Sequence, residues 1–280
     1  MARKLMIQGT MSSVGKSLLT TGLLRVLKRR GIAAAPFKSQ NMSNIAHVTA
    51  DGLQFSRAQA IQAEAAGCTP LPQMNPILLK PCGDMCSELI VLGESRGKMR
   101  AMEYFKKKTE MKPLILKALH ELEESFDAIV IEGAGSPVEI NLKQNDIVNM
   151  GMAEMADCDV LLAADIDRGG VFAQIYGTLA LLEEQERARV KGVIINKFRG
   201  DIKLLLPGIT QIEELTGVPV YGVLPYLKVD IEEEDSLRDT VNPKTERSAS
   251  DAAYRNEQFE LLADAMEENL QIESILSLIR

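Results

Sequence analysis

The amino-acid sequence predicts an α/β protein, a doubly wound, mostly parallel sheet with helices on both faces and a further helix at the C-terminal end. Three features predict it. Short apolar runs of strand length alternate with longer stretches of helical periodicity. The first run leads directly into a phosphate-binding loop and then a helix. Polar or glycine-bearing segments follow the runs, and ligands of such sheets bind just outside the carboxyl ends of the strands.

Leu5-Met6-Ile7 reads as the first strand, and Gln8-Gly9-Thr10-Met11-Ser12-Ser13-Val14-Gly15-Lys16-Ser17 follows it. Backbone N–H groups in such a loop wrap a phosphate, Lys16 adds a point charge, and the Ser17 hydroxyl can hold Mg²⁺ at a helix N-terminus. Use of a nucleoside triphosphate is therefore expected. The usual loop has four residues between its glycines, whereas Gly9 and Gly15 are separated by five and Thr10 takes the expected first-glycine position.

Helical spacing resumes at Leu18, Leu19, Leu23, Leu24 and Leu27. It ends at Lys28-Arg29-Arg30-Gly31, where basic residues and glycine suit a helix C-terminus. Further strands are expected at Ile32 to Phe37, Ala128 to Ile131, Val160 to Ala164, Gly192 to Ile195 and Val218 to Val223. Residues 238–252 lose apolar content and read as a linker. Beyond them Phe259, Leu262, Met266, Leu270, Ile272, Ile275, Leu276 and Ile279 form a helical stripe. Docking on the chain's own core and a homodimer or partner contact are both open readings.

With 280 residues, 46% of them apolar, the chain can bury a large core. A net charge of −7 without a sustained basic run argues against nucleic acid as the main partner. There is no apolar run near the length of a membrane span and no charged-then-apolar leader pattern, so a soluble cytoplasmic protein with no membrane partner is expected. Cys68, Cys82, Cys86 and Cys158 make no disulfide framework, and no metal site is expected at Cys82-Gly-Asp-Met-Cys86, since zinc usually needs four ligands, the remaining cysteines are far away in sequence and His47 and His120 are the only histidines. An anionic substrate must then meet local cations, with Lys16, Lys38, Lys80, Arg168, Lys197 and Arg199 as candidates on loops.

Glu132 closes an apolar strand and precedes Gly133 and Gly135, where a Mg²⁺-holding carboxylate would sit; with Ser17 it would suffice on the protein side. Alternatively Glu132 is a helix N-terminal acid. Lys38 could neutralise charge on a transferring phosphoryl group or be an exposed lysine. The Gln40, Asn41, Ser43 and Asn44 segment offers neutral hydrogen-bonding groups for a polar substrate, or ordinary turn chemistry. Arg168 could clamp a carboxylate or phosphate, and Asp165 and Asp167 could bind metal or cap the next helix. Asn196 could read a base edge or serve a turn.

Together these segments resemble the cobyric acid synthase family of cobalamin biosynthesis, over nearly all of residues 4–237. The matching text is Gly9-Thr-Met-Ser-Ser-Val-Gly-Lys-Ser17, Pro36-Phe-Lys-Ser-Gln-Asn-Met-Ser-Asn44, Arg57-Ala-Gln-Ala60, Met74-Asn-Pro-Ile-Leu-Leu-Lys-Pro81, Glu132-Gly-Ala-Gly-Ser-Pro-Val-Glu-Ile-Asn-Leu142, Asp165-Ile-Asp-Arg-Gly-Gly-Val-Phe-Ala173, Asn196-Lys-Phe-Arg-Gly-Asp201 and Glu234-Asp-Ser236. The related dethiobiotin synthetase group shares the stretched loop, so the resemblance implies a phosphate-loop NTPase fold of that type.

The resemblance implies that ATP activates a corrinoid carboxylate as an acyl phosphate, which ammonia then attacks. It implies that Thr10, Met11, Ser12, Ser13, Val14, Gly15, Lys16 and Ser17 hold the triphosphate, and that Ser17 and Glu132 hold Mg²⁺. Lys16, Lys38 and Glu132 would carry the catalysis, and Asn196 with Pro225-Tyr226-Leu227 would frame adenine. Gln40, Asn41, Ser43, Asn44, Glu139, Asn141 and Arg168 would face the corrinoid. By this reading residues 1–237 are the ATP-dependent amidoligase domain, 238–252 a linker and 253–280 a C-terminal helix.

Full-length members continue into a glutamine amidotransferase domain, and here no cysteine has a Gly-x-Cys-Gly-Gly setting and no histidine lies beyond His120. The nitrogen source implied is ammonia from solution or a separate glutaminase subunit. Residues 253–278 nonetheless resemble the end of full-length members. Amidation of another tetrapyrrole or polycarboxylate is an alternative, as is a nucleotide-binding switch akin to the partitioning ATPases.

Overall fold

Six apolar runs, each bounded by turn residues, pair side by side in parallel because helices on both faces take up their side chains. The computed structural model describes residues 2–83, 85–231 and 252–279. The six-stranded sheet has the order Val220–Pro225, Val190–Phe198, Asp159–Asp165, Arg3–Gly9, Ala128–Glu132, Ala34–Phe37. Every neighbouring pair in it is parallel. The strands coincide with the expected runs, although Ile32 and Val218 lie outside them and the fourth expected run lengthens to Val190–Phe198.

The period-2 alternation of a strand divides the core between the two faces. Met6, Ile129, Ile131, Val160 and Leu162 join the apolar cluster that Ile115, Leu119 and Leu122 of the helix Lys112–Glu123 cover. Leu5, Ile7, Val130 and Leu161 face the other way, against Leu19, Leu23, Leu24, Val26 and Leu27 of the helix Lys16–Arg29. Each such side chain removed from water contributes roughly 1.5–3 kcal/mol, so the central strand is held from both sides. The order in which strands are added reverses at Arg3–Gly9, with Ala34–Phe37 and Ala128–Glu132 on one side and the later strands on the other, which puts the phosphate-binding loop at the topological switch point.

A second, mixed sheet has the order Gln40–Met42, Ile77–Pro81, Cys86–Val91, Glu94–Arg100, and Ala46–Val48 pairs with Gln54–Ser56. The sequence reading treats residues 40–44 as a loop, whereas Gln40–Met42 is a short strand beside Ile77–Leu79. Three polar-flanked residues carry too little alternation to reveal a strand.

The linker expected at 238–252 lies outside the described residues except for Ala252, which opens the helix Ala252–Asn269. The single C-terminal helix expected at 253–280 is two helices, Ala252–Asn269 and Ile272–Leu278. Between them Leu270 bridges Gly222 and the Gln271 N–H donates to Tyr221 O at 2.7 Å. A side chain at Gly222 would place its Cβ 2.3 Å from Asn269 O, so glycine permits this pairing and the pairing interrupts the helix. Phe259, Leu262, Ala263, Met266 and Ile275 are buried, so the apolar stripe docks on the chain's own core. Arg25 and Arg29 of the loop helix pair with Glu260 across this contact. No helix among the described residues is long and apolar enough to cross a membrane.

Candidate functional site

The phosphate-binding loop is held in shape by residues of two strands, Asp159–Asp165 and Val190–Phe198. Thr10 N donates to Ala163 O at 2.9 Å, and Asn196 Nδ2 donates to Val14 O at 2.8 Å. Gly15, at φ 94°, precedes the helix, and a Cβ there would lie 2.3 Å from Asn196 Nδ2. Lys197 Nζ donates to Ser13 O and pairs with Asp165 Oδ2 at 3.0 Å. The loop is thus set before any anion arrives, and anion binding need not supply the ordering entropy. Lys16, 7% exposed, lays its ammonium between Met11 O and Gly135 O at 3.2 Å each.

Glu132 is the last residue of its strand, 1% exposed. Its Oε1 accepts from Ser17 Oγ at 2.7 Å and from Lys38 Nζ at 3.1 Å, and its Oε2 accepts from Gln62 Nε2 at 2.5 Å. Burial alone would push this carboxyl up. The Lys38 charge and the hydrogen bonds from Ser17, Gln62 and Lys38 outweigh it and hold Glu132 below the usual carboxylate range. The reading of Glu132 as a helix N-terminal acid is therefore corrected, and so is that of Lys38 as an exposed lysine, since Lys38 is 3% exposed.

An ionised carboxylate and a hydroxyl 2.7 Å apart at the mouth of a phosphate loop are hard oxygen donors of the kind Mg²⁺ takes, with phosphate and water oxygens completing its shell. Residues Ser13, Lys16, Ser17, Lys38, Gln40, Asn41 and Glu132 line one cleft of about 150 Å³. A larger cleft, about 610 Å³, opens at the opposite ends of the strands, by Arg3, Asp127 and Ile279, and holds none of the expected site residues.

Gln62 is missing from the sequence reading. The only signal for it is a buried glutamine in an alanine-rich helix, Arg57–Ala66, one turn beyond Gln59. Asn149 is likewise absent. Its Oδ1 accepts from Ala134 N at 3.1 Å and its Nδ2 donates to Ala134 O and Ser136 O, which braces the segment after Glu132.

Other expected residues are placed differently. Asn41 is buried, its Nδ2 donating to Ser56 Oγ at 2.6 Å, while Gln40 Oε1 accepts from Tyr104 at 2.7 Å. Ser43 Oγ bonds the backbone of Ile45, and Asn44 is exposed. Glu139, Asn141 and Arg168 are exposed and do not line the cleft. Asn196 Oδ1 accepts from Lys197 N, so both of its polar atoms are engaged by backbone. Pro225 ends its strand, Leu227 is half-buried, and Arg199 lies over the Tyr226 ring at 3.5 Å. Asp165 and Asp167 pair with Lys197 and Arg199, and no side chain caps the helix Val171–Leu181, which corrects the capping reading. Among the described residues no group of three metal-ligating side chains includes Cys82 and Cys86.

The family model for the CobQ/CobB/MinD/ParA nucleotide binding domain, CbiA, matches residues 5–238. The chain belongs to this family. Among curated relatives, it is 58% identical over 259 residues to the cobyric acid synthase of Lachnoclostridium phytofermentans, covering 91% of this chain and 50% of that one. It is 57% identical over 237 residues to the cobyric acid synthase of Salmonella gallinarum, covering 85% of this chain and 47% of that one. The chain therefore spans about half the length of these curated relatives. Among solved structures, the septum site-determining protein MinD of Pyrococcus horikoshii OT3, complexed with Mg-ADP, superposes with a TM-score of 0.49 at 15% identity, covering 98% of this chain and 96% of that one.

Proposed function

We propose that this chain is an ATP-dependent ligase that amidates peripheral carboxylates of a corrinoid, taking adenosylcobyrinic acid a,c-diamide to cobyric acid. The observation that carries the proposal is the buried, ionised Glu132 joined to Ser17 at the loop helix and to Lys38. The chain's likeness to two cobyric acid synthases supports the choice of substrate.

In this reading the backbone N–H groups of residues 10–17 cradle the triphosphate, and Ser17 and Glu132 hold Mg²⁺, which would neutralise phosphate charge. Lys16 and Lys38 place positive charge beside the γ-phosphoryl group. A substrate carboxylate oxygen attacks the γ-phosphorus and ADP leaves. Ammonia then attacks the acyl carbon, loses a proton, and phosphate departs. Ammonia comes from solution or from a separate glutaminase.

Gln40, Asn41, Ser43, Asn44, Glu139, Asn141 and Arg168 orient the corrinoid, and Asn196 with Pro225, Tyr226 and Leu227 frames adenine. Met42, Ile45, Ile140 and Leu142, each at least 46% exposed, offer the apolar surface that a macrocycle face requires. The domain limits in this reading are 1–237, 238–252 and 253–280, and the setting is the cytoplasm.

Corrinoid-dependent ADP release in the presence of ammonium tests the proposal. Release that requires both the diamide and ammonium supports it, and release indifferent to the diamide contradicts it.

A further inference from the structure

The strands Ile77–Pro81 and Cys86–Val91 pair antiparallel, and two thiols face each other at the end of this pair. Cys82 Sγ lies 2.9 Å from Cys86 Sγ, Cys82 is exposed and Cys86 half-buried. Cys82 N donates to Cys86 O at 3.0 Å, so the backbone already holds the two residues opposite each other. Gly83 at φ 131° and Met85 at φ 57° both have positive φ, a conformation common in reversals of chain direction. A disulfide bond is about 2.05 Å long, so the sulfurs need to approach by only about 0.9 Å.

We propose that Cys82 and Cys86 form a reversible dithiol–disulfide couple that pins this hairpin. The co-reactant is a small disulfide of the glutathione class. The Cys82 thiolate attacks one sulfur of it, that S–S bond breaks, and one small thiolate leaves. The Cys86 thiolate then attacks the Cys82 sulfur of the mixed disulfide and expels the second small thiolate. The protein thiols release two protons and pass two electrons to the small disulfide, which ends as two thiols; a reducing dithiol reverses the sequence.

The other two cysteines are an internal control. Burial pushes the Cys68 thiol up to about 11 and the Cys158 thiol up to about 12, so neither supplies a thiolate near neutral pH. The Cys82 thiol is also raised, chiefly by its hydrogen bond with Cys86, so the exchange accelerates as pH rises above neutrality. A disulfide closing so short a loop removes little chain entropy and is readily reduced, as befits a switch and not a structural bond.

The consequence reaches the candidate site. Ile77–Leu79 pairs in register with Gln40–Met42, and Ser43 N donates to Leu79 O at 3.1 Å. Stiffening the hairpin stiffens the sheet edge that carries Gln40 and Asn41.

The test equilibrates the full chain with increasing ratios of oxidised to reduced glutathione, followed by peptide mass spectrometry and amide hydrogen exchange. The expected result is loss of two hydrogens from the peptides joining Cys82 to Cys86, with Cys68 and Cys158 remaining thiols and exchange across 77–91 slowing several-fold. Cys82→Ser and Cys86→Ser should each retain one glutathione on the remaining thiol and never lose two hydrogens. Stable mixed disulfides in the unaltered protein, bridges between chains, no oxidation, or oxidation with unchanged exchange would each overturn the proposal.

Discussion

Ser17 Oγ donates to Glu132 Oε1 across 2.7 Å, joining the first turn of the loop helix to the end of a neighbouring strand. In the proposed function the bond fixes the hydroxyl and the carboxylate that would hold Mg²⁺. It also explains how Glu132 tolerates full burial, since Ser17, Lys38 and Gln62 satisfy both of its oxygens.

Glu132→Gln keeps the shape but removes the charge. Corrinoid-dependent ADP release should fall by roughly 10²–10³-fold, in the range of losing one preorganised electrostatic contact. Glu132→Ala breaks the buried ion pair with Lys38 and should cost about 3–5 kcal/mol in urea unfolding. Full activity in Glu132→Gln would remove Glu132 from the chemistry.

Stability should depend on pH through the same group. The folded pKa of Glu132 is lowered relative to its ordinary 4.5. Its contribution is therefore fully present above that value and is lost as pH falls through the lower, folded pKa. Urea midpoints measured from neutrality into acid should fall below about pH 4.5, and Glu132→Gln should flatten that part of the curve.

Asn196→Ala removes the donor to Val14 O and leaves a buried carbonyl unsatisfied, at a cost of about 1–3 kcal/mol. Nucleotide affinity should drop with it because the loop loses its brace. Isothermal titration with MgATP measures the change. An unaltered affinity would show that the loop holds its shape without Asn196.

Ser17, Glu132 and Lys38 were legible because Glu132 and Lys38 each follow an apolar run and Ser17 closes the phosphate loop, and each carries chemistry uncommon by chance at its place. Gln62 was not legible. It sits on a helix 70 residues from Glu132, and only folding brings them together. Asn196 was legible as a strand-end amide, but nothing in its neighbours announces that it bonds the backbone at Val14. The break at Leu270 was hidden for a related reason, since the apolar stripe continues through it and the cause lies in Gly222 on a distant strand.

Gly222→Ala tests that cause. The residue has φ 143° and no room for a Cβ, so the substitution should cost roughly 1–3 kcal/mol. Limited proteolysis should then release the C-terminal helices faster than in the unaltered protein. Equal rates would mean that the helices dock independently of the Gly222 bridge.

The most direct measurement is mass spectrometry of adenosylcobyrinic acid a,c-diamide after incubation with the protein, MgATP and ammonium, beside a matched incubation with glutamine. Stepwise replacement of carboxyl by amide with ammonium, and none with glutamine alone, is the result expected of a synthetase without its own glutaminase. An unchanged corrinoid mass with ammonium, from protein that binds MgATP, would contradict the proposed function.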